Sequence, residues 1–455
     1  MVYTDTRDSS VNISFRDAVM EGMSAKTGGL YVPRSYPRLP ESFLGGAPAF
    51  TNIACEGAKL FTGSEIPDAD LERLIRDAYP FDAPVVELAP ETWVLELFHG
   101  PTCAFKDFGA RFMARVMSYF NRDQKGTLHI LVATSGDTGS AVGSAFQDVP
   151  GIDVTILFPR GKISPLQEKQ LSTFTGNIRS LRVDGAFDDC QKLVKTAFTD
   201  GEVRKKLRLS SANSINIARL LPQSFYYIHG ALSVAHRRKK DPPAIIAVVP
   251  SGNFGDLTSG LIARRMGAPI GGFVAATNAN KTVPDWMRTG EYTPRPSVQT
   301  LSNAMDVGAP SNFERMTSMY SLDEFRSFMT ALWFNDRDTL SAIKACREKH
   351  GYLLDPHGAV GYAAWESIRR GEFGEIQGGG VSLPAWAGAV REGRAAGILL
   401  ETAHPAKFGD TVQEACGVMP DLPESLKNVL ALPDRAITMQ NDYARFKTWL
   451  LDTHD

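Results

Sequence analysis

Lys106 is the residue of this chain best suited to covalent chemistry. It sits in Glu96–Phe112, ELFHGPTCAFKDFGARF, between Phe105 and Phe108 and just after a Gly100-Pro101 turn. Aromatic flanks desolvate an amine, lower its pKa and favour the neutral form that Schiff-base formation requires. A solvated surface lysine is the plainer alternative. Three further segments have the composition of anion cradles. In LHILVATSGDTGSAVGS an apolar run meets Thr134, Ser135, Gly136, Asp137 and Thr138 before a helical pattern opens. In IIAVVPSGNFGDLTSG another apolar run meets Ser251, Gly252, Asn253, Phe254 and Gly255, with Asp256 following. The N–H groups of a helix start favour anions, and glycine lets a ligand approach the backbone. The third, SSANSINIARL, gathers Asn213, Ser214, Asn216 and Arg219, a fork-plus-amide donor set suited to a phosphate dianion. Each cradle alone is also what an ordinary tight strand-to-helix turn looks like, and none is a GxGxxG or GxxxxGK[ST] nucleotide fingerprint. In LLETAHPAKFGD, Thr402 falls where a buried strand ends, the edge at which α/β sheets bind ligands.

The elements that must hold these residues follow from pattern. Leu128–Ala133, Val154–Phe158, Ile245–Val249, Gly272–Ala276 and Gly397–Leu400 are strand-sized apolar runs, most followed by Gly/Ser turns. Phe108, Phe112, Val116 and Phe120 recur at helical spacing after Lys106 and are expected to face a core. Gln191–Phe198, Asp338–Lys349 and an acidic stretch near Asp68–Asp77 also read as helices. Strands alternating with helices predict an α/β fold with mainly parallel sheets. HRRKKDPP at 236–243 is expected to be an exposed connector, and GEFGEIQGGGVSL at 371–383 an exposed, glycine-rich loop.

Composition narrows the function classes. At roughly 100–200 residues per domain, 455 residues hold two to four domains. A formal net charge of −2 without a basic block offers no electrostatic case for nucleic acid or a membrane surface. No apolar run approaches the ~18 residues of a membrane helix. The polar, acid-containing start MVYTDTRDSSVNIS lacks a secretory or transit layout. Five scattered cysteines without CxxC or Cys/His pairing predict reduced thiols, a cytoplasmic setting and no metal site.

Taken in order, ELFHGPT-x-AFKDFGARF, ATSGDTGSA, SSANSINIARL, PSGNFGD, TLSNAMDVGAPSN and ETAHPAKF resemble the threonine synthase family in its longer microbial form. GGLYVP at Gly28–Pro33 extends the resemblance towards the N-terminus. The resemblance implies pyridoxal 5'-phosphate as cofactor and a fold of two three-layer α/β domains, tryptophan-synthase-like, plus an N-terminal domain. It implies that Lys106 forms the Schiff base and acts as catalytic base. Ser251, Gly252, Asn253, Phe254, Gly255 and Asp256 would surround the cofactor phosphate, and Thr402 would meet the pyridine nitrogen. Thr134, Ser135, Gly136, Asp137 and Thr138 would face the substrate carboxylate, and Asn213, Ser214 and Arg219 the substrate phosphate.

The implied reaction turns O-phospho-L-homoserine and water into L-threonine and phosphate, by γ-elimination and β-replacement. A phospho-lyase of the same fold, releasing 2-oxobutyrate, ammonia and phosphate, is the nearest alternative. The expected division is 1–95 for the N-terminal domain, 96–235 for the unit carrying Lys106 and 236–455 for the unit carrying the cofactor-phosphate loop. Monomer and homodimer both remain open. A carboxylate in a carboxylate site is repulsive, so Asp137 is expected to fix its loop through local hydrogen bonds while backbone N–H groups meet the ligand. Three positions stand apart. Cys103 replaces a larger residue and is expected to be a small buried side chain. Gly358 in DPHGAVG stands where a hydroxyl residue is expected, leaving His357 uncertain in role. Lys281 falls in a segment without an assignment.

Overall fold

The computed structural model describes residues 1–238, 244–372 and 383–454. The expected connector at 236–243 lies mostly, and the loop at 371–383 almost wholly, outside the described residues.

Two parallel sheets carry the site. The first has six strands, in the order Met329–Trp333, Ile270–Thr277, Ile245–Pro250, Ala396–Glu401, Thr92–Glu96 and Val85–Ala89. All its pairings are parallel except the last, which is antiparallel. The second has five parallel strands, in the order Ile437–Gln440, Ile178–Asp184, Ile152–Pro159, Leu128–Ala133 and Arg208–Ser211. The central strands are buried along their whole length. This is why they read as continuous apolar runs and not as alternating ones. The strand Thr92–Glu96 joins a sheet whose other central members lie beyond residue 235, and Ile437–Gln440 returns to the sheet of residues 128–211.

The N-terminal residues form a two-stranded antiparallel sheet, Tyr3–Asp5 with Tyr31–Pro33. Helices Phe50–Thr62 and Asp68–Ala78 accompany it. Phe50 packs edge-on against Tyr79 and Phe108, and Tyr79 packs tilted on Phe108, so this segment rests directly on the helix that Lys106 begins. The helical stripe behaves as its spacing predicts: Phe108, Phe112, Val116 and Phe120 are all buried. No helix among the described residues is long and apolar enough to cross a membrane.

Candidate active site

Lys106 opens the helix Lys106–Asn121, and its approach is clamped to the segment carrying Thr402. Ala104 and Ala403 form an isolated antiparallel bridge. Around it the Phe105 N–H donates to the Thr402 carbonyl at 2.8 Å, and the His404 N–H to the Cys103 carbonyl at 3.0 Å. Thr402 immediately follows the strand Ala396–Glu401. The first helical turn is tied back by Asp107, whose carboxylate accepts from the Thr102 N–H (2.8 Å) and hydroxyl (2.7 Å). Burial outweighs these bonds and raises Asp107 to about 6.

Burial also lowers Lys106, to about 8, with Arg219 adding to the effect and Asp137 and Asp256 opposing it. Its ammonium lies 4.0 Å from the centre of the Phe105 ring. The amine is thus much closer to its neutral form at physiological pH than an ordinary lysine, the state a nucleophilic amine needs.

The first cradle leaves the strand Leu128–Ala133 and enters the helix Asp137–Phe146. The Thr134 hydroxyl oxygen accepts from the Gly136 and Gly139 N–H groups at 3.0 and 2.9 Å, so it shapes the turn from beneath. Gly136 has φ 132, and a Cβ there would lie 2.6 Å from Gln167 Nε2. Ser135 and Thr138 remain partly exposed. Asp137 departs from the expectation of a local hydrogen-bonding role. Its carboxylate pairs with the Lys407 ammonium at 2.7 Å and accepts from Gln167 Nε2 at 2.9 Å, partners remote in sequence. Burial works against its ionisation, but Lys407 prevails and holds its pKa below the usual value. The negative charge that looked misplaced in a carboxylate site is therefore already neutralised.

The second cradle leaves the strand Ile245–Pro250 and enters the helix Gly255–Arg265. Phe254 takes the left-handed conformation, φ 58, that turns the chain into the helix. A Cβ on Gly252 would lie 2.6 Å from Met305 Cα, so only glycine fits beneath the 301–306 segment. The Ser251 hydroxyl donates to the Val249 carbonyl at 2.8 Å. Asp256 accepts from the Tyr226 hydroxyl at 2.6 Å, and the Tyr227 hydroxyl also favours its charged form. Burial raises it to about 6.

The third cradle spans the strand Arg208–Ser211 and the short helix Ile217–Leu220. Asn213 donates to the Ala133 carbonyl at 3.1 Å, joining this loop to the first cradle. Asn216 is structural: its amide donates to the Val19 carbonyl at 2.8 Å and its oxygen caps the helix. Arg219 donates to the Ala212 carbonyl at 2.6 Å and keeps a buried Nε without a partner among the described residues. The Ser214 oxygen accepts from the Asn253 amide at 2.8 Å, which joins the third cradle to the second.

Residues 2–79 match the model described as "Threonine synthase N terminus", 82–382 "Pyridoxal-phosphate dependent enzyme" and 385–449 "Threonine synthase, C-terminal". The chain is 41% identical over 446 residues to a threonine synthase of Haemophilus influenzae, covering 96% of this chain and 97% of that protein. The chain belongs to the threonine synthase family. The crystal structure of the Escherichia coli threonine synthase superposes with a TM-score of 0.87 at 38% identity, covering 100% of both chains. The pyridoxal-phosphate-bound threonine synthase of Brucella melitensis does so at 0.86 and 35%, covering 100% of this chain and 99% of that one.

Membership of this threonine synthase family makes the chain a pyridoxal-phosphate-dependent enzyme. Its own residues fit the cofactor: a partly buried lysine of lowered pKa, a helix start whose first-turn N–H groups lack intrahelical acceptors, and a threonine clamped beside the lysine.

Several contributors were missed by sequence reasoning. Lys407, Gln167, Asn312 and Arg315 act across long stretches of chain, although Lys407 and Asn312 lie inside the quoted motifs ETAHPAKF and TLSNAMDVGAPSN. His357 is buried and bonds through Nδ1 to Asp355, while its Nε2 accepts from the Ala304 N–H at 3.2 Å. It thereby supports the 301–306 segment over Gly252. Gly358 is explained by space: a Cβ would lie 1.6 Å from Glu401 Oε2. Burial, with neighbouring Asp355, raises the Glu401 pKa well above its usual value. The Cys103 thiol turns towards Ser425 in a small apolar cluster, and burial raises its pKa. Lys281 stacks on the Trp333 ring at 4.2 Å.

Proposed function

We propose that this chain converts O-phospho-L-homoserine and water into L-threonine and phosphate, as a carbon–oxygen lyase acting on a phosphate ester. The observation that carries the reading is the Ala104–Ala403 bridge, which sets Lys106 and Thr402 side by side at the junction of three donor-rich turns. In this reading Lys106 attaches the cofactor and, once displaced by substrate, takes the α-proton as general base. Bound pyridoxal phosphate supplies the electron sink for charge developing at the substrate Cα.

Ser251 to Gly255 hold the cofactor phosphate on the N–H groups of the helix start, with Asp256 behind them. The Thr402 hydroxyl meets the pyridine nitrogen without enforcing its protonation, as a carboxylate would. Ser135, Thr138 and the N–H groups around Gly136 hold the substrate carboxylate, with Thr134 and Asp137 setting their position. Asn213, Ser214 and Arg219 receive the substrate phosphate. The division of labour places the N-terminal support in 1–95, Lys106 and the carboxylate turn in 96–235, and the cofactor-phosphate loop in 236–455. Within the last segment, Ile437–Gln440 and the helix Tyr443–His454 pack with the second unit. Five free cysteines accord with a cytoplasmic setting.

Incubating holoenzyme with O-phospho-L-homoserine tests this directly. Phosphate and threonine should appear in equal amounts. Accumulation of 2-oxobutyrate in place of threonine would reassign the chain to the phospho-lyases.

A further inference from the structure

Arg315 is fully buried, yet its guanidinium hydrogen-bonds to no carboxylate among the described residues. It donates from Nε to the Tyr31 carbonyl (3.2 Å) and from Nη1 to the Ser214 carbonyl (2.9 Å) and Asn312 Oδ1 (2.9 Å). Nη2 donates to the Ile215 carbonyl. Adjacent Glu314 is engaged with Arg7 at 2.8 Å. Burial draws the Arg315 pKa down to about 9. A buried cation surrounded only by neutral acceptors is costly unless an anion balances it.

The array above Arg315 shows where that anion would sit. A guanidinium has only donors, so Asn312 must turn its oxygen towards Arg315 and its NH2 the other way. That NH2 donates to Ser214 Oγ at 3.1 Å and to the Asn253 carbonyl at 3.2 Å. Asn253 is oriented in the same manner: its Oδ1 accepts from the Ser311 N–H at 2.5 Å, and its Nδ2 donates to Ser214 Oγ at 2.8 Å. Ser214 Oγ thus receives two amide N–H bonds. A hydroxyl has two lone pairs and one proton, so Ser214 retains only its proton. Asn312 and Arg315 are buried, whereas Ser214 and Asn253 are partly exposed. The result is a forced donor at an open surface, with a buried positive charge hydrogen-bonded only to neutral oxygens beneath it.

We propose that Asn312 and Arg315 are positioning residues that fix Ser214 as a hydrogen-bond donor to the phosphate monoester of the substrate. This rests on the function proposed above and extends its phosphate site to two residues outside the NSINIAR segment. The cofactor also carries a phosphate monoester, and Asn253 belongs to the loop assigned to it. The test therefore separates the two sources.

Inorganic phosphate is titrated into wild-type, Ser214→Ala and Asn312→Ala holoenzymes, with binding read from the visible absorbance of the cofactor. The same proteins, stripped of cofactor, are titrated with pyridoxal phosphate. Ser214→Ala and Asn312→Ala should each weaken inorganic phosphate, and raise KM for the phosphorylated substrate, by about tenfold, the scale of one hydrogen bond. Cofactor affinity should stay within about twofold, and the double variant should be no worse than Ser214→Ala alone, since Asn312 acts on phosphate only through Ser214. Arg315→Lys, keeping the charge, should bind phosphate more tightly than Arg315→Gln.

A loss of cofactor affinity with phosphate affinity intact would assign the array to the cofactor and overturn the proposal. A lower melting temperature with both affinities intact would do so as well, leaving the cluster a structural staple. If Arg315 variants do not fold, the Ser214 and Asn312 variants still decide. Because the phosphate titration does not depend on which product forms, finding 2-oxobutyrate would alter the proposed function and leave this result standing.

Discussion

The Lys407 ammonium and the Asp137 carboxylate form a buried ion pair at 2.7 Å, and the same ammonium donates to the Thr102 carbonyl at 2.9 Å. One side chain thus ties the segment after Thr402 both to the turn bearing Ser135 and to the approach of Lys106. Removing either charge strands the other in a medium that solvates it poorly.

Lys407→Met should therefore destabilise the protein by about 3–5 kcal/mol, the usual cost of leaving one member of a buried pair alone. Lys407→Met combined with Asp137→Asn should recover much of the loss. Denaturant unfolding of the two variants checks this, and additive losses would refute the coupling.

Lys106 gives a pH dependence with a definite sign. Its pKa is lowered to about 8, so the neutral amine increases as pH rises through 8. Capture of pyridoxal phosphate by the apoenzyme should accelerate over the same range and then level. Arg219 contributes to the lowering, so Arg219→Met should raise the Lys106 pKa and move the midpoint to higher pH. Stopped-flow absorbance measures both midpoints; an unmoved or lower midpoint in the variant would rule out the electrostatic role. Lys106→Ala should abolish turnover and the covalent adduct trapped by borohydride.

Gly358→Ala would place a methyl group 1.6 Å from Glu401 Oε2. Overpacking of this kind costs about 1–3 kcal/mol or more. The damage should reach the site, because Glu401 precedes Thr402 and His357 supports the segment over Gly252. Loss of both stability and cofactor affinity is expected, as read by thermal melting and cofactor titration.

The Cys103 thiol lies 3.4 Å from the Ser425 hydroxyl, in a small apolar cluster with Ala406 and Leu426. Cys103→Ala should keep kcat within about twofold while lowering stability by ~1 kcal/mol, the scale of a small lost contact. Steady-state kinetics and melting separate the two effects.

Much of this was legible in the sequence. The five apolar runs are strands, and the Phe108–Phe120 stripe is a buried helix face, because full burial and helical period both leave a compositional mark. What escaped notice depends on contacts between distant segments. Asp137 alone looks repulsive to a carboxylate; only its folded contact with Lys407 resolves that. Gly358 alone looks like a departure; only Glu401 shows that a side chain has no room there. The strand Thr92–Glu96 was hidden because its apolar character is short, yet it bonds along its length to Ala396–Glu401.

That pairing bears on how the enzyme is born. Translation delivers Lys106 long before the strand Ala396–Glu401 that flanks Thr92–Glu96, the threonine beyond it and Lys407. Until then the sheet lacks an inner member, and the lysine has neither its backbone clamp nor its fixed surroundings. A nascent chain, growing at about 5–20 residues per second, would pass through that interval with the amine at position 106 lacking this clamp. Competence arrives only with the residues from Ala396 to Lys407, so a product truncated before them should be unable to sequester the aldehyde.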